Sequence, residues 1–237
     1  MPGGGRIRNC SGPSTMPAHN NYDSDFRRYL NALLEGDARV GHELVDGLLA
    51  SKVRLATIYR DYIQRGMYEV GELWERNQIS VSIEHLAAST TQLIVSELFF
   101  KLKCSPENGK QVIIACVPYE LHDVGTLIVA NVFQLAGWKI QLLGANTPAE
   151  DMVGFIAKRK PEMLALSCTL PANRHGLEDA LAKTVAAFPQ LEILIGGQAL
   201  DGGEEARQYR GSLIARFPTA RYLETLEDLE RYLAQKS

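Results

Sequence analysis

The sequence predicts an α/β protein: an N-terminal four-helix bundle, then a Rossmann-like (flavodoxin-like), doubly wound parallel sheet of five strands. Two observations indicate this fold. Apolar residues recur at helical spacing between residues 23 and 103, whereas short apolar runs alternate with helical segments after residue 110. Continuous apolar strands that alternate with helices are typical of a parallel sheet with both faces covered. The predicted boundaries are a disordered arm at 1–21, the bundle at 22–104 and the sheet domain at 105–237.

Composition indicates that most of the chain folds around a packed core. The 237 residues are 46% hydrophobic and 22% charged, and the net charge of −3 argues against a nucleic-acid-binding surface as the main function. Residues 1–21 are rich in Gly, Pro and Ser and lack periodicity, which is typical of disorder. There is no apolar stretch of the about 20 residues that span a bilayer, and no signal peptide. A cytoplasmic protein without a membrane partner is therefore expected.

Polar and glycine residues divide the predicted bundle into four helices. The first begins near Asp23 and is broken by Gly36-Asp37, after which a second helix follows. The third runs from about Arg54 and is closed by Asn77-Gln78. Ser80 is then placed to cap the fourth helix. Four helices with short connections predict an up-and-down bundle.

The second half of the chain predicts five strands, each followed by a helix. The strands are short aliphatic runs at 111–117, 139–143, 163–167, 192–195 and 221–223. The helices are predicted at 123–136, 149–159, 174–188, 204–209 and 226–234.

Residues with useful chemistry follow three of the predicted strands, at the same edge of the sheet. His122 follows the first strand, Ser167–Thr169 the third and Gly196-Gly197 the fourth. In an open α/β sheet, ligands lie beyond the carboxyl ends of the strands. Hydroxyls can bond a polar ligand atom, and glycines let a ligand approach the backbone. Glu120 can accept a hydrogen bond from one His122 nitrogen and raise the basicity of the other, as a metal-ligating histidine requires.

Each of these features has an ordinary structural explanation when it is taken alone. A histidine in a loop after a strand is usually only exposed to solvent. Paired glycines after a strand usually form a turn, and Ser-x-Thr at a strand end is more often a helix cap. Their joint placement at the ends of three strands favours a binding site.

The pattern Glu120-x-His122-x-x-Gly125, followed by Ser167-x-Thr169-Leu170 and Gly196-Gly197, resembles that of cobalamin (vitamin B12)-binding domains and covers residues 109–237. The resemblance implies that His122 is the lower axial ligand of cobalt and that Glu120 supports it. It also implies that the displaced dimethylbenzimidazole tail lies in a slot of the sheet domain. The other residues that it implies as cofactor contacts are Asp123, Val124, Gly125, Ser167, Thr169, Leu170, Gly196 and Gly197.

A second motif, W-x9-E-H, joins the third and fourth helices through Trp74, Glu84 and His85. Alone it would indicate a core tryptophan followed by a polar helix start. Ahead of the first motif, it is similar to the light-sensing B12-dependent photoreceptors of the CarH/LitR type. This resemblance implies that Trp74 packs against an upper axial adenosyl group and that Glu84 and His85 line the same cavity. Adenosylcobalamin is therefore the expected cofactor, with methylcobalamin as the other form.

The sequence departs from related patterns at three places. Residues 1–20 are too few for the DNA-binding helix-turn-helix domain of those photoreceptors, so direct DNA binding is not expected. Glu75 stands where well-studied photoreceptors have a histidine that binds cobalt after illumination. The segment His122–Leu127 keeps H-D-x-G but lacks the Lys-Asn pair that commonly follows in methyl-carrying corrinoid proteins.

The sequence therefore predicts a cobalamin-binding light sensor rather than an enzyme. Photolysis of the upper axial Co–C bond would change homo-oligomerisation or binding to a separate transcription regulator. The first alternative is a corrinoid methyl carrier, an enzyme component of a methyltransferase system. The second is a sensor of a bilin or haem, because Cys116 and Cys168 lie near the site and a thiol can attach a linear tetrapyrrole. These two cysteines and Cys104 are expected to be buried free thiols.

Overall fold

The N-terminal part of the computed structural model is a helical bundle, as the sequence predicts. The structure describes residues 19–236, with the side chains of 23–236. The bundle helices are α1 (His19–Glu35), α2 (Ala38–Ala50), α3 (Leu55–Ile58), α4 (Arg65–Glu75) and α5 (Val81–Lys101). A π-helical segment, Tyr59–Gln64, joins α3 to α4 without a break in helical backbone, so these segments together form the third predicted helix. Most of the predicted arm, residues 1–18, lies outside the described residues.

Polar caps set the helix boundaries of the bundle. Gly36 has a φ of +71° after α1, and the Asp37 carboxylate accepts from the N–H of Arg39 at 3.1 Å, which starts α2. The Ser80 hydroxyl accepts from the N–H of Ile83 at 3.4 Å and caps α5, as predicted. The short connection at 76–80 therefore keeps the end of α4 and the start of α5 at one end of the bundle.

The C-terminal part is a five-stranded, all-parallel sheet in the order β2-β1-β3-β4-β5, which confirms the predicted fold class. The strands are β1 (Gln111–Cys116), β2 (Lys139–Gly144), β3 (Met163–Ser167), β4 (Glu192–Gly196) and β5 (Ala220–Tyr222). The helices are α6 (Val124–Leu135), α7 (Ala149–Arg159), α8 (Arg174–Ala187), α9 (Glu204–Arg216) and α10 (Leu226–Ala234). One apolar core includes residues of α7, α8 and α9, whereas a second includes α6 and α10, so helices cover both faces.

Helix α6 connects the bundle to the sheet domain. Its buried Ile128 belongs to the apolar core of the bundle, whereas Phe133, one and a half turns later, belongs to a core of the sheet domain. Between them, the buried Asn131 amide donates to the hydroxyl of Tyr59 at 2.6 Å and to the carbonyl of Val95 at 3.1 Å. The two parts therefore share a continuous interface along α6.

Two of the three cysteine predictions are confirmed. Cys116 and Cys168 are buried and unpaired. The prediction for Cys104 is wrong: this thiol is exposed because it lies beyond the end of α5, in the connection to β1. Among residues 19–236, no helix has the length and apolar character needed to cross a membrane.

Candidate functional site

The sheet changes winding direction between β1 and β3, and the loops after these two strands form the candidate site. The helices that follow them, α6 and α8, lie on opposite faces of the sheet. This arrangement opens a crevice beyond the carboxyl ends of the strands, where α/β proteins bind ligands. Glu120 and His122 enter the crevice from β1, and Thr169 and Leu170 from β3.

The carboxylate of Glu120 is completely buried and ties the two loops together. Its Oε1 accepts from the N–H of His122 at 3.0 Å and lies 2.5 Å from the ring Nδ1 of the same residue. Its Oε2 accepts from the N–H groups of Thr169 and Leu170 at 2.8 and 2.9 Å, and from Nδ2 of Asn173 at 3.1 Å. The predicted hydrogen bond between the Glu120 and His122 side chains is thus present, within a larger network.

This network determines the protonation of both side chains. Burial raises the pKa of Glu120, but hydrogen bonds from His122, Leu170 and Asn173 outweigh burial and hold the pKa at about 2. An ionised carboxylate only accepts, so Nδ1 of His122 carries a proton and Nε2 is left free. The hydrogen bond with Glu120 raises the pKa of His122; burial lowers it, and the charges of Glu120, Glu84 and Asp123 raise it further. The imidazole is 51% exposed, so Nε2 can reach a ligand.

Two asparagines hold the loop that carries Glu120. Tyr119 has a φ of +70°, and its N–H donates to the side-chain oxygen of Asn146 at 2.8 Å. The N–H of Asn146 donates to the Glu120 carbonyl at 2.8 Å, and Asn173 donates to the Tyr119 carbonyl at 3.3 Å. Sequence reasoning missed both asparagines. The available signal was that each follows a predicted strand, β2 or β3, within a few residues.

The glycines of the candidate site occupy two different environments. A Cβ on Gly196 would have no heavy atom within 4 Å, and one on Gly125 would meet only Oγ of Ser167 at 3.7 Å. By contrast, Gly197 has a φ of +102°, and a Cβ there would lie 2.2 Å from the carbonyl oxygen of Cys168. The space beside Gly196 and Gly125 is therefore open to a ligand, whereas the protein's own backbone requires the glycine at 197.

Asp123 and Val124 lie where the loop meets the bundle. The Gln92 amide of α5 donates to the Asp123 carboxylate at 2.5 Å. Val124, in the first turn of α6, packs against the bundle core. These two predicted site residues thus fix the position of the bundle over the His122 loop. Gln92 was missed because nothing in the sequence relates it to a residue 31 positions away.

The W-x9-E-H residues lie at the end of the bundle where α4 ends and α5 begins. Trp74, in the last turn of α4, is 46% exposed, an unusual state for a large apolar ring. In the first turn of α5, the Glu84 carboxylate lies 2.6 Å from Nδ1 of His85, and the His85 ring is mostly exposed. Glu84 is close enough for its charge to raise the pKa of His122. The start of α5 and the His122 loop are therefore near enough to interact electrostatically.

Comparisons with known proteins agree with this geometry. Residues 110–219 match a family model described as a B12 binding domain, and residues 25–98 match a second model of the same description. The chain is therefore a B12-binding protein of this family, with the helical and sheet parts each matched.

Its relatives include both regulators and corrinoid proteins. Over 133 residues the chain is 31% identical to the HTH-type transcriptional repressor CarH of Myxococcus xanthus, across 55% of this chain but only 44% of CarH. It is 26% identical over 175 residues to trimethylamine corrinoid protein 2 of Methanosarcina mazei, across 70% of this chain and 79% of that protein. The structure of the Methanosarcina barkeri monomethylamine corrinoid protein shares the fold, with a TM-score of 0.73 and 17% identity across 91% of this chain and 99% of that one.

Proposed function

We propose that this protein is a light sensor that holds an alkylcobalamin, adenosylcobalamin foremost, between the bundle and the sheet domain. The observation that carries the proposal is the exposed ring of Trp74 at the end of the bundle where α5 begins with Glu84 and His85, in a chain whose sheet domain holds the Glu120–His122 pair. The bound cofactor supplies a Co–C bond that light can break. The similarity to CarH supports this interpretation.

The residues of the sheet domain fit the lower side of a corrinoid. Glu120 holds Nδ1–H of His122, which orients Nε2 as a cobalt ligand in the way that carboxylates support metal-bound histidines. The bare backbone at Gly196 and Gly125 leaves room for the displaced tail, and Ser167 offers a hydroxyl beside that space. Thr169, Leu170 and Gly197 complete the proposed lining.

We propose that the bundle covers the upper face of the corrinoid. Trp74 would pack its apolar ring against the adenosyl group, and Glu84 and His85 would line the same cavity with polar atoms. Without that group the Trp74 ring would lack its partner, and the bundle would be free to shift against the sheet domain. We propose that this shift alters contacts with a second copy of the chain or with a separate regulator.

A corrinoid methyl carrier is the second candidate function. Its support is the alignment with the trimethylamine corrinoid protein, which spans both parts of this chain and 79% of that protein. The same Glu120–His122 pair would serve a methyl carrier equally well. The two candidates therefore differ in the upper axial group that the bundle selects and in the response of the protein to light.

Spectroscopy on the purified protein separates these functions. The apoprotein is incubated with adenosylcobalamin or methylcobalamin, and absorption and size-exclusion mass are recorded in the dark and after green light. A sensor is expected to prefer the adenosyl form and to change both spectrum and mass on illumination, and Trp74→Ala should weaken the preference. Preference for methylcobalamin with no light-dependent change in mass would support the methyl carrier. Retention of a bilin or haem, and not of cobalamin, would support the tetrapyrrole sensor.

His122→Ala removes the proposed cobalt ligand. We expect the absorption spectrum of the bound cobalamin to shift toward a base-on or water-ligated form, while part of the binding persists because the corrin contact area is large. His175→Ala is the matched control, since the His175 ring stacks on Tyr119 and its Nδ1 lies 2.8 Å from the Ala172 carbonyl oxygen, with no hydrogen bond to Glu120 among the described residues. Identical spectra for His122→Ala and the wild type would show that His122 is not the ligand.

Gly196→Ala tests the proposed tail slot. Its added methyl group meets no protein atom within 4 Å, so we expect the unfolding free energy to change by less than about 0.5 kcal/mol. The methyl group would occupy ligand space, and we expect the cobalamin Kd to rise about tenfold, equivalent to about 1.4 kcal/mol. Gly211→Ala on α9 adds an equally unobstructed methyl group away from the crevice and should leave Kd unchanged. An unaltered Kd for Gly196→Ala would rule out a slot at this position.

A further inference from the structure

His122 lies between two carboxylates that are held by different parts of the protein. Glu120, two residues before it, accepts from the N–H of Thr169 in the loop after β3 at 2.8 Å. Asp123, the residue after it, accepts from the side-chain amide of Gln92 in α5 at 2.5 Å. The short segment that carries the imidazole is therefore fixed at one end by the sheet domain and at the other end by the bundle.

The hydrogen bond with Gln92 takes the Asp123 carboxylate away from its usual partners. Asp123 is the N-cap residue of α6, where an aspartate side chain ordinarily accepts from the second or third N–H of the helix. It makes no such bond here, although its carbonyl accepts from the N–H of Thr126 at 2.9 Å and from the hydroxyl of that residue at 2.6 Å. The carboxylate thus has two alternative partners: the Gln92 amide and the first turn of α6, where the exposed Gly125 supplies the second N–H.

Helix α5 presents Gln92 from a fixed backbone. The preceding residue, Thr91, is fully buried, and its hydroxyl bonds to the Ala87 carbonyl at 2.9 Å. Gln92 lies two turns after Glu84, about 12 Å along one unbroken helix. Movement of the bundle end that carries Glu84 must therefore move Gln92 as well.

Other contacts hold the bundle on the sheet domain away from the His122 loop. The amide of Asn131, two turns further along α6, donates to the hydroxyl of Tyr59 at 2.6 Å. At α10, Glu227 pairs with the guanidinium of Arg60 at 2.9 Å. Because these contacts lie outside the loop after β1, the two parts stay joined when the contact between α5 and that loop opens.

We propose that Gln92 is a positioning residue for His122 and acts on it through Asp123. In the closed bundle the Asp123 carboxylate binds the Gln92 amide, and when the bundle shifts the carboxylate binds the N–H of Gly125 instead. This change of partner pulls on the residue before Asp123, so it moves the imidazole relative to Glu120 and weakens its hold on a metal. The inference rests on the proposed function in one respect: the ligand that moves the bundle is a cobalamin.

Hydrogen exchange in the apoprotein, followed by nuclear magnetic resonance at the Gly125 amide, tests the change of partner. We expect exchange at Gly125 to slow about three- to tenfold in Gln92→Ala, the range that one hydrogen bond can supply, whereas simple loosening of the loop would speed it. Gln92→Glu should act in the same direction, because its carboxylate repels that of Asp123. Gln208→Ala is the matched control, since Gln208 donates to the Glu204 carboxylate at 3.0 Å within α9. Unchanged or faster exchange in both Gln92 variants would overturn the proposal.

A second measurement uses the protein loaded with cob(II)alamin, whose electron paramagnetic resonance spectrum is split by an axial nitrogen. Labelling of histidine with 15N identifies that nitrogen as the protein's own. We expect the ratio of His122-bound to His122-free cobalt to fall about three- to tenfold in Gln92→Ala. Asp123→Asn keeps an acceptor for the Gln92 amide and should retain most of the bound form.

The two measurements fail separately. Equal histidine splitting in Gln92→Ala and the wild type would show that Gln92 does not position His122. If the wild type binds no cobalamin, the proposed function fails, whereas exchange at Gly125 still decides whether Gln92 and α6 compete for Asp123.

Discussion

Glu120→Ala is expected to lower the free energy of unfolding of the apoprotein by about 3–5 kcal/mol, the range for breaking a buried charged network. The carboxylate is completely buried and has five hydrogen-bond donors on two loop segments. Its removal leaves the partly buried N–H groups of Thr169 and Leu170 without their acceptor, and an unpaired donor is more destabilising than a missing contact. Urea denaturation monitored by circular dichroism measures the difference.

Two further variants distinguish the effect of losing the hydrogen-bond network from the effect of losing a negative charge. Glu120→Gln keeps the volume but places an amide donor near other donors, so we expect about half the loss of Glu120→Ala. Glu205→Ala removes an exposed carboxylate that pairs with Arg174 at 2.6 Å, and we expect no more than about 1 kcal/mol. Equal losses for Glu120→Ala and Glu205→Ala would contradict a structural role for the buried network.

The Glu120 carboxylate links the stability of the protein to the orientation of His122, the proposed cobalt ligand. Glu120 holds the loop after β1, the loop after β3 and the imidazole of His122 at once. A variant that loosens these loops also frees the ring that is proposed to bind cobalt. Variants at Glu120 should therefore be compared with His122→Ala, which removes the proposed ligand but leaves the other four hydrogen-bond donors to Glu120 in place.

The sheet could be predicted closely because its central strands β1, β3 and β4 are mostly buried and form continuous apolar runs in the sequence. β3 matches the predicted 163–167 at both ends, and β1, β2 and β4 differ by one residue at their carboxyl ends. Helix α9 was predicted at 204–209 but extends to Arg216. Its first half faces solvent and Gly211 interrupts the pattern, so the apolar spacing that marks the other helices is weak there.

Contacts between the bundle and the sheet domain could not be predicted. Asn131 lies in an apolar stretch, and its partner Tyr59 is 72 residues away, in a π-helical segment that no sequence signal marks. Such pairs arise from the relative placement of two packed units, which local periodicity does not encode.

The candidate site likewise has one part that the sequence predicts and one part that it does not. Glu120 and His122 are two residues apart, so their hydrogen bond follows from local geometry and could be predicted. The other donors to Glu120 come from residues 169–173, about fifty positions later, and appear only when β1 and β3 are neighbours. The glycine requirement at 197 also depends on such pairing, and the sequence alone suggested a ligand contact instead.

Gly197→Ala is expected to destabilise the protein by about 3 kcal/mol or more, through two effects. The backbone has a φ of +102°, which L-residues rarely adopt, and the new Cβ would lie 2.2, 2.7 and 2.9 Å from the carbonyl oxygen, carbonyl carbon and nitrogen of Cys168. These backbone atoms of Cys168 cannot move away freely from the new Cβ, because two hydrogen bonds hold them. The N–H of Cys168 donates to the Gly196 carbonyl at 2.9 Å, and its carbonyl accepts from Ala199 at 3.1 Å.

Gly202→Ala is the matched control because Gly202 has a φ of +110° but has no atom within 4 Å of its Cβ position. Gly202→Ala is therefore destabilised only by the unfavourable backbone conformation, by about 1–2 kcal/mol. The difference in unfolding free energy between the two variants then measures the steric clash with Cys168. We expect the two variants to differ in unfolding free energy by at least about 1–2 kcal/mol in urea denaturation. Equal losses would mean that the loops relax, and that Gly197 is needed only for its backbone conformation. A larger loss at Gly197 would place this glycine with Glu120 among the residues that hold the β3 and β4 loops together.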